Sequence, residues 1–217
     1  MVDFEAARIK MVENQIRTTD VTSHSVLRAF LAVPREAFVP EKAKQLAYLD
    51  TDIELAPGRY LMEASPLAKQ LQAAEITKTD RVLDVGTGSG YVAAILSHLA
   101  GSVTALESDP ALAEQASRNL KALDCQNATV VTGELNKGYS DAAPYDLIFV
   151  NGAVEEVPSA LLDQLADGGR LVAVIGYGNA AEAKILLKER GAISESSRFN
   201  LSIKPLPGFT KAKEFVF

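Results

Sequence analysis

Two hydrophobic periodicities divide the chain. Up to about residue 75, apolar side chains recur at three- to four-residue spacing, whereas from Arg81 onward short aliphatic runs alternate with helical repeats. In the first part Phe4 and Met11 and, offset from them, Ile9, Val12 and Ile16 predict an amphipathic helix. A second helix starts after Asp20 or Thr22 and runs through Val26, Leu27 and Phe30. Val33-Pro34 stops it, because a residue before proline avoids the helical region. Ala56-Pro57-Gly58 marks a turn, and a further helix follows Ser65-Pro66, with Ser65 as its cap and Leu67 and Leu71 facing inward. Strand signals are scarce throughout this stretch.

The second part predicts strands at 81–85, 103–106, 128–131, 146–150 and 170–175, each rich in β-branched and aliphatic residues. Between them lie three helical faces: Tyr91, Ile95, Leu96 and Leu99; Leu112, Ala116, Leu120 and Leu123, capped by Asp109 with Pro110 at the first position; and Val157, Leu161 and Leu165. Such alternation implies an α/β fold of parallel strands joined by right-handed crossovers, with helices on both faces of the sheet. Residues 185–203 read as two final strands around a turn at Arg190-Gly191. The expected organisation is a helical N-terminal extension, residues 1–75, covering the site of an α/β core, residues 76–217, in one compact unit. The last stretch, Pro205 to Phe217, packs either on the domain or on a partner's surface.

Composition narrows the class. The 217 residues are 47% hydrophobic and 23% charged, the balance of an ordinary globular protein. With 22 Lys+Arg against 28 Asp+Glu, the net charge of −6 argues against a nucleic-acid partner. The single Cys125 excludes an intramolecular disulfide framework, and two histidines without metal-ligand spacing make a metal site improbable. No apolar run is long enough to span a bilayer and the N-terminus is acidic, so no membrane association and a cytoplasmic location are expected.

The chemistry concentrates in Val82-Leu83-Asp84-Val85-Gly86-Thr87-Gly88-Ser89-Gly90, an apolar strand ending in a glycine-rich loop that opens a helix. Glycine lets the backbone turn sharply and lets a ligand approach the main chain, and helix-terminal N–H groups suit an anionic group. Taken alone, Gly-x-Gly-x-Gly also describes an ordinary strand–helix turn. Glu107 closes the next apolar strand, 21 residues beyond Gly86, where a carboxylate can accept both hydroxyls of a ribose. A solvated glutamate opening a helix is the other reading of that position. Together the features favour an adenosine-containing ligand. A dinucleotide fingerprint places glycine where this chain has Tyr91, and commonly begins near the N-terminus, which points instead to S-adenosylmethionine. No Gly-x-x-x-x-Gly-Lys loop is present, so a P-loop nucleotidase is excluded.

The segments resemble the protein-L-isoaspartate O-methyltransferase family of class I methyltransferases. Gly86-Thr87-Gly88-Ser89-Gly90-Tyr91 matches that family's loop, Val33-Pro34-Arg35-Glu36-Ala37-Phe38-Val39-Pro40 its proline–arginine–glutamate segment, and Ala47-Tyr48-Leu49-Asp50 a further conserved stretch. Pro144-Tyr145-Asp146-Leu147-Ile148 and Gly168-Gly169-Arg170-Leu171-Val172 follow in the family's order. The resemblance implies a seven-stranded, mostly parallel Rossmann-like sheet and S-adenosyl-L-methionine as cofactor. It implies that Asp84 and the loop Gly86, Thr87, Gly88, Ser89, Gly90 hold the methionyl end, and that Glu107, with Ser108 beside it, holds the ribose. Gly133, Glu134 and Leu135 would meet the adenine, and Asn151 would line the pocket.

The family's Thr-Ile-Ser-x-Pro segment, whose serine lies at the methyl-transfer site, is altered. Anchored on Pro66, this chain reads Met62-Glu63-Ala64-Ser65-Pro66, so Ala64 takes the serine's position unless a one-residue slip brings Ser65 into the catalytic place. Three functions follow: carboxyl methylation of L-isoaspartyl residues in damaged proteins or peptides, methylation of another, small-molecule acceptor such as a phenol or amine, or cofactor binding without transfer.

Overall fold

The computed structural model describes residues 2–210. α1 (Phe4–Met11) is opened by Asp3, whose carboxylate accepts the Ala6 N–H at 3.0 Å, and continues through a π turn at Val12–Ile16. Met11, Val12 and Ile16 are buried but Ile9 is exposed, contrary to its predicted place on the apolar stripe. Residues two apart lie about 200° apart around a helix, so Ile9 and Met11 cannot share a face. α2 (His24–Ala32) ends at Val33, which is extended ahead of Pro34 as predicted.

The turn at Pro57-Gly58 joins two strands that the hydrophobic pattern does not reveal, β1 (Ile53–Ala56) and β2 (Arg59–Leu61), paired antiparallel. Runs of four and three residues are too short to show a period of two. α3 (Ala64–Ala73) begins two residues earlier than expected. Glu63 occupies the N-cap position, and Ser65 sits within the first turn with its hydroxyl donating to Gln15 O at 2.9 Å, so Ser65 is not the cap. Pro66 is tolerated there because the first-turn N–H groups have no intrahelical partner to lose.

The core sheet is built from β3 (Arg81–Val85), β4 (Ser102–Glu107), β5 (Ala128–Thr132), β6 (Tyr145–Val154), β7 (Leu165–Ile175), β8 (Glu182–Glu189) and β9 (Ala192–Asn200). Its order is β5-β4-β3-β6-β7-β8-β9, parallel through β7 and antiparallel for β8 and β9. α4 (Tyr91–Ser97) and α5 (Pro110–Ala122) fall where predicted, and Asp109 caps α5 by accepting from Ala111 and Leu112. The third predicted helix is short. α6 (Ser159–Asp163) stops before Leu165, which already pairs with Tyr145 in the sheet. Gln164 pulls the chain out of the helix, accepting the Tyr139 N–H at 2.8 Å and donating to Lys137 O at 2.7 Å.

Alternate strand residues feed two layers. Val82, Leu147, Phe149 and Val172 face α3, α4 and the extension, while Leu83, Ile148, Val150 and Leu171 face α6 and the chain after β9. Arg35, fully buried, fastens the extension to the core. Its Nε donates to Ala47 O at 2.8 Å, its Nη2 to Met62 O at 2.7 Å, and its guanidinium lies 5.1 Å from the Tyr91 ring centroid. After β9 the chain turns back over the end of β6, where Ala153 N donates to Lys204 O at 2.9 Å and Leu206 N to Ala153 O at 2.8 Å. Leu206 and Phe209 are buried, so the start of the last stretch packs on the domain, while Phe215-Val216-Phe217 lies outside the described residues. Among the described residues no helix is long and apolar enough to cross a membrane.

Candidate active site

β3 starts the core, β4 and β5 extend it to one side, and the chain then crosses to β6 on the other. The carboxyl ends of strands at such a switch point form the crevice where open α/β sheets bind ligands. Asp84 on β3, the loop 86–90, Glu107 and Ser108 after β4, the turn 133–135 after β5, and Asn151 on β6 all lie at those ends.

The loop is shaped by its glycines. Gly86 has φ +84°, and Gly90 has φ +92° with its Cα so close to α5 that an added Cβ would meet Ala116 at 3.1 Å. At both, the positive φ strains any side chain, and at Gly90 the approach of Ala116 adds to that strain. Asn151 Nδ2 donates to Gly86 O at 3.1 Å, tying β6 to the loop. Asn151 lies within a β6 that runs on to Val154, so it is a strand residue and not a turn former.

Asp84 is completely buried and neither of its carboxylate oxygens has a hydrogen-bond partner. Burial pushes its carboxyl up to about 7; Thr87 and the charge of Arg59 oppose the shift, and Glu107 adds to it. The hydroxyls of Thr87 and Ser89 are also buried without partners. A buried, unsatisfied carboxylate beside unsatisfied hydroxyls is a set of acceptors and donors suited to a polar, cationic group such as a methionyl ammonium.

Glu107, also fully buried, accepts backbone N–H groups from Gly88 at 2.8 Å, Ser108 at 2.8 Å and Asp109 at 3.0 Å. It is not a solvated helix-opening residue. Its carboxylate is held bidentately by Arg59, with Nη2 at 2.7 Å from Oε2, and Arg59 Nη2 also donates to Gly86 O at 3.2 Å. Gly133 N donates to Glu107 O at 3.0 Å, bringing the 133–135 turn beside the acid. Glu134 is exposed there and paired with Lys137 at 2.6 Å, while Leu135 is buried. Thus the acceptor set fits an S-adenosyl ligand, although Arg59 now fills the carboxylate's reach.

Sequence reasoning missed Arg59. Arg59 and Leu61 share the inward side of β2, but a strand of three residues carries no periodic signal, and only the buried carboxylate it meets reveals the arginine's role. Ser65 is not brought to the crevice by any polar contact, because its hydroxyl is engaged with Gln15 O.

The profile of the protein-L-isoaspartate(D-aspartate) O-methyltransferase family matches residues 6–205. The chain belongs to this family. Among isoaspartate methyltransferase relatives, the protein-L-isoaspartate O-methyltransferase of Methanoculleus marisnigri is 37% identical over 201 residues, covering 93% of this chain and 91% of its own. A solved protein-L-isoaspartate O-methyltransferase superposes with TM-score 0.81 at 26% identity, over 93% of this chain and 67% of that one. The same fold recurs, with TM-score 0.80 at 21% identity over 96% of this chain and 100% of the other, in a putative protein-L-isoaspartate O-methyltransferase from Plasmodium falciparum solved with S-adenosyl-L-homocysteine.

Met62, Glu63 and Ala64, read above as the altered Thr-Ile-Ser positions, lead into α3. Ala64 is buried at the start of α3, and Glu63 N donates to Asp52 Oδ1 at 3.1 Å. Partial burial, then the negative charges of Asp52 and Asp50, hold the Glu63 carboxyl above its ordinary value.

Proposed function

We propose that the protein is an S-adenosylmethionine-dependent methyltransferase of the isoaspartate family, transferring a methyl group to the carboxylate of L-isoaspartyl residues in proteins or peptides. The observation that carries the reading is the constellation of Asp84, the 86–90 loop and Glu107 at the carboxyl ends of β3 and β4, in a chain whose residues 6–205 match the family. Asp84 and the loop would hold the methionyl end, Glu107 and Ser108 the ribose, the 133–135 turn the adenine, and Asn151 the loop backbone behind them. Bound cofactor supplies an electrophilic sulfonium methyl. A carboxylate acceptor, with an ordinary pKa of about 3.9, is already ionised at neutral pH and needs no general base. The protein's task is therefore to orient the acceptor and keep water away. The net charge of −6 supports a protein or peptide partner over a nucleic acid.

A second reading is favoured by residues 62–64. Ala64 offers no hydroxyl to an acceptor, and Glu63 with Asp52 and Asp50 makes the neighbourhood acidic, which suits a neutral or cationic acceptor better than a carboxylate. Incubation with methyl-labelled S-adenosylmethionine and an isoaspartyl peptide tests both. A base-labile methyl ester on the peptide supports carboxyl transfer; label on an amine or phenol, stable to base, supports the second reading.

A further inference from the structure

The crevice is closed by three side chains that belong to neither the glycine loop nor the strand ends. Arg59, 7% exposed, spends both η nitrogens on Glu107 and one of them also on Gly86 O. Leu206 lies against the loop and against β6: a Cβ on Gly86 would meet Leu206 Cδ1 at 2.7 Å, and one on Gly152 would meet Leu206 Cβ at 2.8 Å. Leu55, from the strand facing Arg59, stands 3.0 Å from the corresponding point on Gly88. The cavity remaining beside Arg59 and Leu206 is about 20 Å³, room for a single water and far too little for a nucleoside. The segments carrying these side chains are packed through side chains and share few backbone hydrogen bonds with the main sheet. β1 and β2 form a separate two-stranded ribbon outside the main sheet, and the backbone of residues 204–206 hydrogen-bonds to β6 at Ala153.

We propose that Arg59 and Leu206 form an internal stopper for the cofactor crevice. An S-adenosyl ligand enters only after residues 53–61 and 201–210 withdraw, and Glu107 then exchanges the guanidinium for ribose hydroxyls. The proposal rests on the cofactor reading above. Short ribbons with few backbone bonds open at low free energy, which makes them suitable as moving parts. The exchange is balanced in kind: Glu107 keeps its three backbone donors throughout, and Arg59 regains hydration on leaving a buried pair. Because only the open fraction binds, the stopper lowers apparent affinity by that fraction. Removing it raises the affinity.

The test is calorimetric titration of the full chain with S-adenosylhomocysteine, alongside Arg59→Ala and Leu206→Ala. It is paired with hydrogen exchange of residues 53–61 and 201–210 with and without ligand. Each variant is expected to bind about ten-fold or more tightly than the unsubstituted protein, the change that an open fraction of a tenth or less predicts. Ligand is expected to accelerate exchange in both segments of the unsubstituted protein. Leu206→Ala removes no charge, so it carries the test if Arg59→Ala proves unstable. Equal or weaker binding by the variants, or protection of both segments by ligand, overturns the stopper and makes Arg59 a ligand contact or a structural tie. Failure of every form to bind the homocysteine ligand overturns the cofactor reading itself.

Discussion

Replacing Asp84 with asparagine should stabilise the unliganded protein above neutral pH while weakening its hold on cofactor. The carboxyl is completely buried, has no hydrogen-bond partner, and is shifted from 3.8 to about 7. A carboxyl whose pKa is higher folded than unfolded binds its proton more tightly in the native state. Its contribution to stability is then complete below about pH 4 and is lost as pH rises through about 7. Between pH 5 and pH 7 that loss amounts to about two pH units at 1.36 kcal/mol each, roughly 3 kcal/mol. Asparagine has the same shape and does not titrate, so its own buried amide adds a constant term that cancels when two pH values are compared. Urea denaturation of both proteins at pH 5 and pH 8 measures the effect. Asp84→Asn should gain about 3 kcal/mol on the original protein between the two conditions. Curves that stay parallel, with one fixed offset at both pH values, would refute the assignment of Asp84 as a desolvated acid. The same substitution should weaken S-adenosylhomocysteine binding about ten- to a hundred-fold at pH 8, since a charge-assisted contact to an ammonium is lost.

Other substitutions probe the remaining ties. Glu107→Ala should destabilise the fold by about 3–5 kcal/mol in addition to weakening cofactor binding, because Arg59 is left buried without its partner; denaturation midpoints alongside titration separate the two effects, and an unchanged midpoint would contradict the buried pairing. Arg35→Ala removes two charge-assisted bonds to the carbonyls of Ala47 and Met62, and should cost about 3–5 kcal/mol in a urea melt. The combined change Met62→Thr, Glu63→Ile and Ala64→Ser should raise isoaspartyl peptide methylation about ten- to a hundred-fold, and more than Ala64→Ser alone, by restoring a hydroxyl and removing a repelling carboxylate. Label transfer to the peptide is the measure, and a larger gain from the single substitution would show that Glu63 is no obstacle.

The core strands, the glycine loop and the acid at the end of β4 were legible in the residues themselves. Their determinants are local: β-branched runs of five or six residues, a loop whose φ is positive at each of its three glycines, and an acid one strand later in a parallel register. The cap at Asp109 was legible for the same reason, since its carboxylate reaches N–H groups two and three residues ahead. Ser65 was misplaced as a cap because its hydroxyl is claimed by Gln15, fifty residues earlier, a contact that no local pattern announces. The tertiary structure alone decided what Glu107 touches. Arg59 lies 48 residues away on a ribbon too short to show periodicity, and Leu206 reaches the loop only because the chain after β9 returns to Ala153. Local sequence sets backbone conformation over a few residues, whereas the partner of a buried charge is chosen by which distant segments pack together, and desolvation then makes that choice energetically decisive.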